Sequence, residues 1–174
     1  MGRAKRMERV VALTKILVDH PQHLFSFSYF CKKFEVAKST LSEDVLAVKN
    51  GLELFGLGKV ETLAGAAGGV RFIPGHSVAD DNEFLKELAL KLSSSDRILP
   101  GGMLYVTDVL CNPHIVVRLG EIFRSRLQHL AIDYVMTVET RGISLAHLVA
   151  RAFNVPLVMA RHDNYFTEGP TVTI

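Results

Sequence analysis

The chain has 174 residues, of which 48% are hydrophobic and 22% charged, so it can bury one ordinary core or two small ones. Its net charge of +2 is uneven, because residues 1–77 hold 11 basic and 7 acidic side chains whereas residues 78–174 hold 9 and 11. The two cysteines, Cys31 and Cys111, lack metal or disulfide spacing, which excludes a disulfide scaffold. A lysine interrupts the apolar run at Val10–Val18, which excludes a membrane span and a signal peptide. We therefore expect a cytoplasmic protein.

The chain opens with a basic run that one acidic residue, Glu8, opposes. Such a run is typical of an arm that reaches for phosphate backbone, and equally typical of the solvated start of a helix. An apolar stripe with helical spacing predicts the first helix over Met7–Val18, ended by His20 and Pro21. The members of the basic run are Arg3, Lys5, Arg6 and Arg9.

A second, short helix is expected to open at Ser26 or Ser28 as N-cap. Its position between two longer helices suits a supporting element. The aromatic and sulfur-bearing residues predicted to face the core are Phe27, Phe30, Cys31 and Phe34.

The third helix is predicted to start at Ser39 or Thr40, where a hydroxyl can cap the helix and an acidic residue follows three positions later. Apolar residues spaced four, three and four apart, Leu41, Val45, Val48 and Leu52, are expected to pack inward. The side chains that this packing leaves outside are Lys38, Thr40, Ser42, Glu43 and Lys49.

A glycine-tipped hairpin is predicted after this helix. Gly51, Gly56 and Gly58 are expected to break the helix, and the strand-like runs Lys59–Leu63 and Val70–Ile73 flank a glycine-rich turn. Three helices followed by such a hairpin form the winged-helix layout, in which the third helix enters the major groove and the wing lies against the backbone or the minor groove. The same layout also serves protein-binding modules.

We expect residues 1–77 to form the DNA-binding domain. Lysines and arginines there would contact phosphates, and serine and threonine hydroxyls would contact phosphates or base edges. The candidate contacts are Arg3, Lys5 and Arg6 in the arm, Lys38, Ser39, Thr40, Ser42 and Lys49 in the third helix, and Arg71 beside the tip of the wing.

Residues 78–174 carry the alternating pattern of an α/β domain. A connecting helix is predicted first, and continuous apolar strands that alternate with helices then predict a parallel sheet covered on both faces. In chain order, the predicted elements are a helix at Asp80–Leu92, a strand at Met103–Val109, a helix at Pro113–Leu130, a strand at Ile132–Val138, a helix at Ile143–Phe153 and a strand at Val155–Arg161.

The loop Thr137–Gly142 joins a strand end to a helix start, where backbone N–H groups and the helix dipole can hold an anion. Arg141 adds a charge and Gly142 permits close approach, although a glycine here also suits a purely structural connection. The polar and aromatic segment 161–169 has the composition of a mobile lid or of a surface loop. Seven scattered histidines form no catalytic or metal-binding pattern, so we expect neither an active site nor a metal.

Three tracts, Ala37–Asp44, Gly65–Val70 and Arg97–Gly102, together resemble the purine operon repressor family of Gram-positive bacteria, and the resemblance runs through all 174 residues. It implies an N-terminal winged helix-turn-helix followed, at residues 78–174, by a type I phosphoribosyltransferase-like α/β domain that has lost catalysis. It also implies a homodimer that represses purine biosynthesis and salvage genes, binds operator DNA, and loosens its hold when phosphoribosyl pyrophosphate binds, with or without Mg.

Carried over by position, the resemblance makes Glu139–Gly142 a pyrophosphate loop, Arg161–Gly169 a flexible loop, and Tyr105 an aromatic near the effector pocket. No resident cofactor is expected. The candidate effector-binding residues are Tyr105, Glu139, Thr140, Arg141, Gly142, Arg161 and Asp163.

The family's acidic pair, followed by a Gly-Gly and Ser/Thr turn that grips the ribose 5-phosphate, would lie beyond Ile174. We therefore expect an incomplete effector domain with exposed strand edges and a risk of aggregation, and weak or absent binding of phosphoribosyl pyrophosphate. Two alternatives stay open: a purine phosphoribosyltransferase with an added head, which would need that acidic pair, and a dimerising protein-interaction module, which would not bind operator DNA.

Overall fold

A computed structural model of the chain describes residues 4–65 and 68–162. Within these ranges, no helix combines the length and the apolar character needed to cross a membrane. The first part of the chain, residues 4–77, is called the head below. Its elements are α1 (Arg6–Asp19), α2 (Phe27–Phe34), α3 (Lys38–Leu54), β1 (Lys59–Leu63) and β2 (Gly69–Ile73).

The remaining described residues alternate between helices and short strands, as the sequence pattern predicts for an α/β domain. A single 3-10 turn, Ser95–Arg97, follows the first of these helices. The elements are α4 (Val78–Leu92), β3 (Ile98–Leu99), β4 (Met103–Leu104), α5 (Thr107–Leu110), α6 (Pro113–Arg126), β5 (Val135–Val138), α7 (Ile143–Phe153) and β6 (Leu157–Ala160).

The head is built around one apolar core to which all five of its elements contribute. The predicted stripe of α1 is buried at Leu13 and Leu17, whereas Val11 on the same helix lies on the surface. Phe25, Phe27 and the other partly buried rings pack against the cluster rather than within it. The apolar side chains with almost no exposed surface are Leu13, Leu17, Phe30, Leu41, Val60 and Val70.

The segment before α2 pairs with the hairpin like a short third strand. β1 and β2 pair antiparallel, with Val60 opposite Phe72. On the other side of β2, the amide of Phe25 donates to the carbonyl of Val70 at 3.0 Å, and the amide of Val70 donates back at 2.8 Å. A side chain at Gly69 would collide with the carbonyl of Phe25, so this approach requires glycine. The predicted winged-helix layout is confirmed.

The ends of α3 differ from the prediction. The N-cap is Ala37, which has no side-chain capping bond, so neither Ser39 nor Thr40 caps the helix. The helix starts early because the carbonyl of Ala37 already accepts the amide of Leu41 at 3.1 Å. Gly51 does not break the helix, which continues to Leu54, since a single glycine costs only about 1 kcal/mol against the packing of the helix.

β5 and β6 form the predicted parallel pair, with Val135 opposite Leu157 and Val138 opposite Ala160. The chain passes between them through α7, which packs on both strands. Among the described residues, this sheet contains two strands.

The predicted strand at Met103–Val109 is wrong. Only Met103 and Leu104 are extended, and they turn back on Ile98 and Leu99 in a small hairpin whose tip contains Gly101 and Gly102 at positive φ. A four-residue helix, α5, then starts at Thr107. The apolar run is too short for its periodicity to distinguish a buried strand from a hairpin arm and a helical turn.

An arginine fork holds this small hairpin against α5. Both terminal nitrogens of Arg97 donate to the carboxylate of Asp108, at 2.8 and 2.7 Å, and one of them also donates to the carbonyl of Tyr105 at 3.0 Å. Lys91 adds a second cation 3.4 Å from the same carboxylate. These hydrogen bonds and charges hold the pKa of Asp108 well below its usual range.

α6 contacts the head on one side and α7 on the other. Asn112 caps its first turn, accepting from the amide of His114 at 3.0 Å, and Pro113 occupies the first helical position, as expected. On one side, Glu121 of α6 lies 3.1 Å from the ring of His76 in the head. On the other side, α6 packs against α7 so closely that Gly120 touches the backbone of Leu148.

Substituting Gly120 by alanine should weaken the packing of α6 on α7. The added Cβ would lie 2.8 Å from the carbonyl oxygen of Leu148, so backbone must move, and we expect the free energy of unfolding to fall by about 1–3 kcal/mol. Gly51→Ala is the matched control, because nothing lies within 4 Å of its Cβ position and alanine favours the helix. Urea denaturation that gives equal stabilities for both variants would contradict this account of the packing.

Glu121 should make stability depend on pH. Burial raises the pKa of Glu121, although His76 and Arg118 oppose the shift. A carboxyl group whose pKa is higher in the folded state stabilises the fold below its unfolded pKa, and this contribution is lost as pH rises through the folded value. The stability of the wild type relative to Glu121→Gln should therefore decline as the pH rises above about 4.5. Denaturation across that range should show this decline, and a constant or rising difference would refute it.

Candidate nucleic-acid interface

The face of α3 opposite the core is open to solvent along the helix. Four residues at helical spacing, Ser39, Glu43, Leu46 and Asn50, lie on this face and are all exposed. Leu46 is 56% exposed, although it is apolar. An exposed helix face with hydroxyl, amide and apolar side chains matches what base edges in the major groove present.

Most of the residues predicted as contacts at the start of α3 are accessible to solvent. Lys38, Ser39 and Ser42 are exposed, while Thr40 is half-buried. The hydroxyl of Ser42 donates its proton to the carbonyl of Lys38 at 2.9 Å. Its oxygen can therefore still accept a hydrogen bond from the solvent side. The ammonium of Lys38 lies 5.8 Å from the ring centre of Phe27, which directs this side chain toward α2.

Lys49 lies at the border between the exposed and the buried faces of α3. It is half-buried and stands one residue from the buried Val48. Its long side chain can cover apolar surface with its stem while its ammonium group reaches water. Such a placement suits a contact with the phosphate backbone rather than with bases.

The predicted arm is shorter than the basic run. Arg6 is the first residue of α1 and its side chain is 65% exposed, while Lys5 is the N-cap, whose amide donates to Glu8 at 2.8 Å. Arg3 lies outside the described residues. Arg9, the last member of the run, is turned inward and only 7% exposed, where it pairs with Asp44 of α3.

Arg71 is paired within the hairpin. It lies opposite Glu61, and its Nε and one terminal nitrogen donate to that carboxylate at 3.0 and 2.7 Å. Its charge is therefore largely balanced, and a contact with phosphate would require the guanidinium to leave or share this partner.

Three accessible residues escaped the sequence reasoning. Lys32 and Lys33 are exposed in the last turn of α2, and the ammonium of Lys33 lies 5.9 Å from the ring centre of Tyr29. Leu46 escaped because its position was not compared with the buried stripe. Two adjacent lysines on the supporting helix would have been a signal, since that helix crosses the DNA backbone in helix-turn-helix complexes.

The candidate effector loop follows the carboxyl end of β5 and contacts the carboxyl end of β6. Glu139 follows β5, and its amide donates to the carbonyl of Ala160 in β6 at 3.1 Å. One carboxylate oxygen of Glu139 lies 3.7 Å from Nε of Arg161, and the other accepts from the amide of His162 at 3.3 Å. Glu139 and Arg161, two of the candidate effector-binding residues, therefore lie together at this edge. Asp163 and residues 164–169 of the predicted flexible loop lie outside the described residues.

The rest of this loop leads into α7. Gly142 is the N-cap of that helix, and its carbonyl accepts from the amide of Ala146 at 2.9 Å. A Cβ at Gly142 would lie 2.9 Å from the hydroxyl of Thr137, so a larger residue would crowd the turn. Thr140 and Arg141 are exposed, and the positive end of the helix dipole points at the same place.

Tyr105 belongs to the small hairpin unit. Its amide donates to the carbonyl of Arg97 at 2.7 Å, and its own carbonyl accepts from the Arg97 guanidinium. Its ring is partly exposed. In the part of the chain that the structure describes, no group of three or more His, Cys, Asp or Glu side chains could hold a metal ion.

Residues 5–74 match the family described as bacterial purine repressor, N-terminal. Over 170 residues, the chain is 44% identical to the purine biosynthesis transcriptional repressor of Bacillus subtilis and 39% identical to the purine biosynthesis transcriptional activator of Lactococcus lactis subsp. lactis. Both alignments cover 98% of this chain, which spans 60% and 63% of the length of those relatives.

A second kind of relative matches a smaller part of the chain. The chain is 34% identical over 80 residues to the xanthine phosphoribosyltransferase of Geobacillus thermodenitrificans, an alignment that covers 44% of this chain and 41% of that enzyme. The alignments with these two transcriptional regulators therefore cover more than twice as much of this chain as the alignment with the enzyme does.

Substituting Lys49 by alanine should weaken binding to every duplex by a similar factor. If Lys49 contacts one phosphate, the slope of log K against log salt should become shallower by about one unit, with the sequence preference unchanged. Lys86→Ala is the control, because Lys86 is exposed on α4, away from α3 in the chain. Fluorescence anisotropy at several salt concentrations measures both slopes, and an unchanged slope for Lys49→Ala would remove this residue from the interface.

Proposed function

We propose that this chain is a member of the bacterial purine repressor family and a DNA-binding transcriptional repressor of purine biosynthesis and salvage genes. The observation that carries the proposal is the open face of α3 on a winged-helix head whose elements, from Arg6 to Ile73, coincide with the family match at residues 5–74. We further propose that the DNA-binding domain is residues 1–77 and the effector domain residues 78–174.

In the proposed complex, α3 enters the major groove and the hairpin lies against the adjacent backbone. Ser39, Ser42 and Leu46 would face base edges, where hydroxyls can donate or accept and a leucine can contact a thymine methyl group. The cations around them would contact phosphates. The cations that the sequence predicts are Arg3, Lys5, Arg6, Lys38 and Lys49, and the structure adds Lys32 and Lys33. Arg71 stays a candidate, although its guanidinium would have to leave or share Glu61. Thr40 stays a candidate that is half-buried.

We propose that the effector half senses phosphoribosyl pyrophosphate in the cytoplasm and that the repressor acts as a homodimer. Support comes from the loop Glu139–Gly142, which ends at a helix N-terminus where backbone N–H groups can hold an anion. Arg141 and Arg161 would add positive charge, and Tyr105 would lie near the ligand. Calorimetry tests this proposal: micromolar binding of the sugar pyrophosphate would support it, and no detectable binding would contradict it.

An enzyme is the second candidate, favoured by the partial similarity to xanthine phosphoribosyltransferase. That similarity leaves the winged-helix head unexplained, whereas the relatives named as transcriptional regulators match the head and the effector half together. Release of pyrophosphate from phosphoribosyl pyrophosphate and xanthine would support the enzyme.

The proposed function predicts preferential binding to one class of DNA. Fluorescence anisotropy should show that the protein binds an upstream duplex from a purine-synthesis gene more tightly than a scrambled duplex of equal length and charge. Both affinities should fall with salt, and their ratio should be at least about 10³ at physiological salt. Equal affinities at every salt concentration would refute the proposal and favour a protein-interaction module.

The same protein added to in vitro transcription from that promoter settles the sign of regulation. Repression predicts fewer transcripts as the operator fills. An increase would make this chain an activator, the activity named for the relative from Lactococcus lactis.

A further inference from the structure

A buried ion pair joins the first and third helices of the head. The carboxylate of Asp44 is 1% exposed, and it accepts from Arg9 Nε at 2.7 Å and from a terminal nitrogen of the same guanidinium at 3.3 Å. Arg9 belongs to α1 and Asp44 to α3, so this two-point contact fixes one helix against the other.

The same guanidinium also holds the end of the arm. The other terminal nitrogen of Arg9 donates to the carbonyl of Ala4 at 2.9 Å, which is where the chain leaves α1 toward its N-terminus. Arg6 approaches Asp44 as well, with Nε 3.6 Å from the second carboxylate oxygen. Arg9 thus links its own helix, α1, to both the arm and α3.

The position of Asp44 connects this cluster to the proposed DNA contacts. Ser42 and Glu43 immediately precede Asp44 and are exposed, so a rotation of α3 that moved the Asp44 carboxylate would move these side chains by a similar angle. A shift at Ala4 would likewise redirect Lys5.

We infer that Arg9 and Asp44 are positioning residues for sequence discrimination: they set the arm and α3 in one fixed relation, without touching DNA themselves. This inference rests on the proposed function. It predicts that losing the pair reduces the preference for operator DNA while leaving the non-specific, phosphate-driven affinity largely intact.

A structural role alone would not need charges at this place. Buried ion pairs are often replaced by apolar residues of similar volume with no loss, or with a gain, of stability, whereas removing one partner is strongly destabilising. An apolar contact lacks the directional hydrogen bonds that hold Ala4, Arg9 and Asp44 in one arrangement. Stability and positioning can therefore be separated by mutation.

The decisive comparison uses three variants: Asp44→Asn, Arg9→Lys, and the double variant Arg9→Met with Asp44→Leu. The first should lower the thermal midpoint, and the double variant should regain most of that loss. At matched folded fractions, the affinity ratio between operator and scrambled duplex should fall at least about tenfold in the double variant and in Arg9→Lys, equivalent to about 1.4 kcal/mol of discrimination. The affinity and salt slope for scrambled duplex should stay close to those of the wild type.

The exposed pair Lys15–Asp19, 2.6 Å apart on α1, supplies the control, because Lys15→Met with Asp19→Asn removes an ion pair of the same helix. Discrimination should be unchanged in that control. A double variant that is stable and still discriminates like the wild type would overturn the inference and leave the proposed function intact. If the double variant does not fold, a folded Arg9→Lys with wild-type discrimination overturns it instead. A wild type without discrimination would refute the proposed function itself, and this inference with it.

Discussion

The inner side of α3 is buried from its first turn to its last, and the position of every exposed residue on the outer side follows from that burial. Leu41, Val45, Val48 and Leu52 are held against α1, α2 and the hairpin in one core. Because the helix cannot rotate without exposing this stripe, Ser39, Glu43 and Leu46 must face outward. The arrangement that would present side chains to DNA in the proposed complex is therefore a by-product of hydrophobic packing, with the Arg9–Asp44 contact adding the directional hydrogen bonds that apolar packing lacks.

Most of the head could be predicted from the sequence because its helices carry regular apolar stripes and its hairpin carries glycines. The buried ion pair was missed for a reason that the same stripes explain. Asp44 lies three residues after Leu41 and four before Val48, and Arg9 lies four before Leu13, so each occupies a core-facing position of its helix. An acid and a base at such positions require partners. Which base pairs with which acid depends on how the two helices pack, and no local pattern encodes this.

Residues 78–162 were harder to predict because their apolar runs are short. Met103–Val109 looks like a strand by composition, yet the glycines at 101 and 102 and the Arg97–Asp108 contact turn it into a hairpin arm followed by a helix. The pair β5 and β6 and the helix between them were predicted correctly, since a full βαβ unit imposes a longer and more regular pattern. At the candidate loop, the position of Glu139 after a strand was predicted, whereas its contact with Arg161 and the link from Arg97 to Tyr105 depend on tertiary contacts that no local pattern encodes.

The bridge between Phe25 and Val70 gives the hairpin a neighbour on each side of β2. Backbone groups of that strand are engaged with β1 on one side and with the segment before α2 on the other, so β2 is ordered when the head folds. The conformational entropy of these residues is lost at folding and need not be lost again when a ligand arrives. This strand of the wing is in this sense preorganised: its conformation is set by the segment before α2 rather than induced by a ligand.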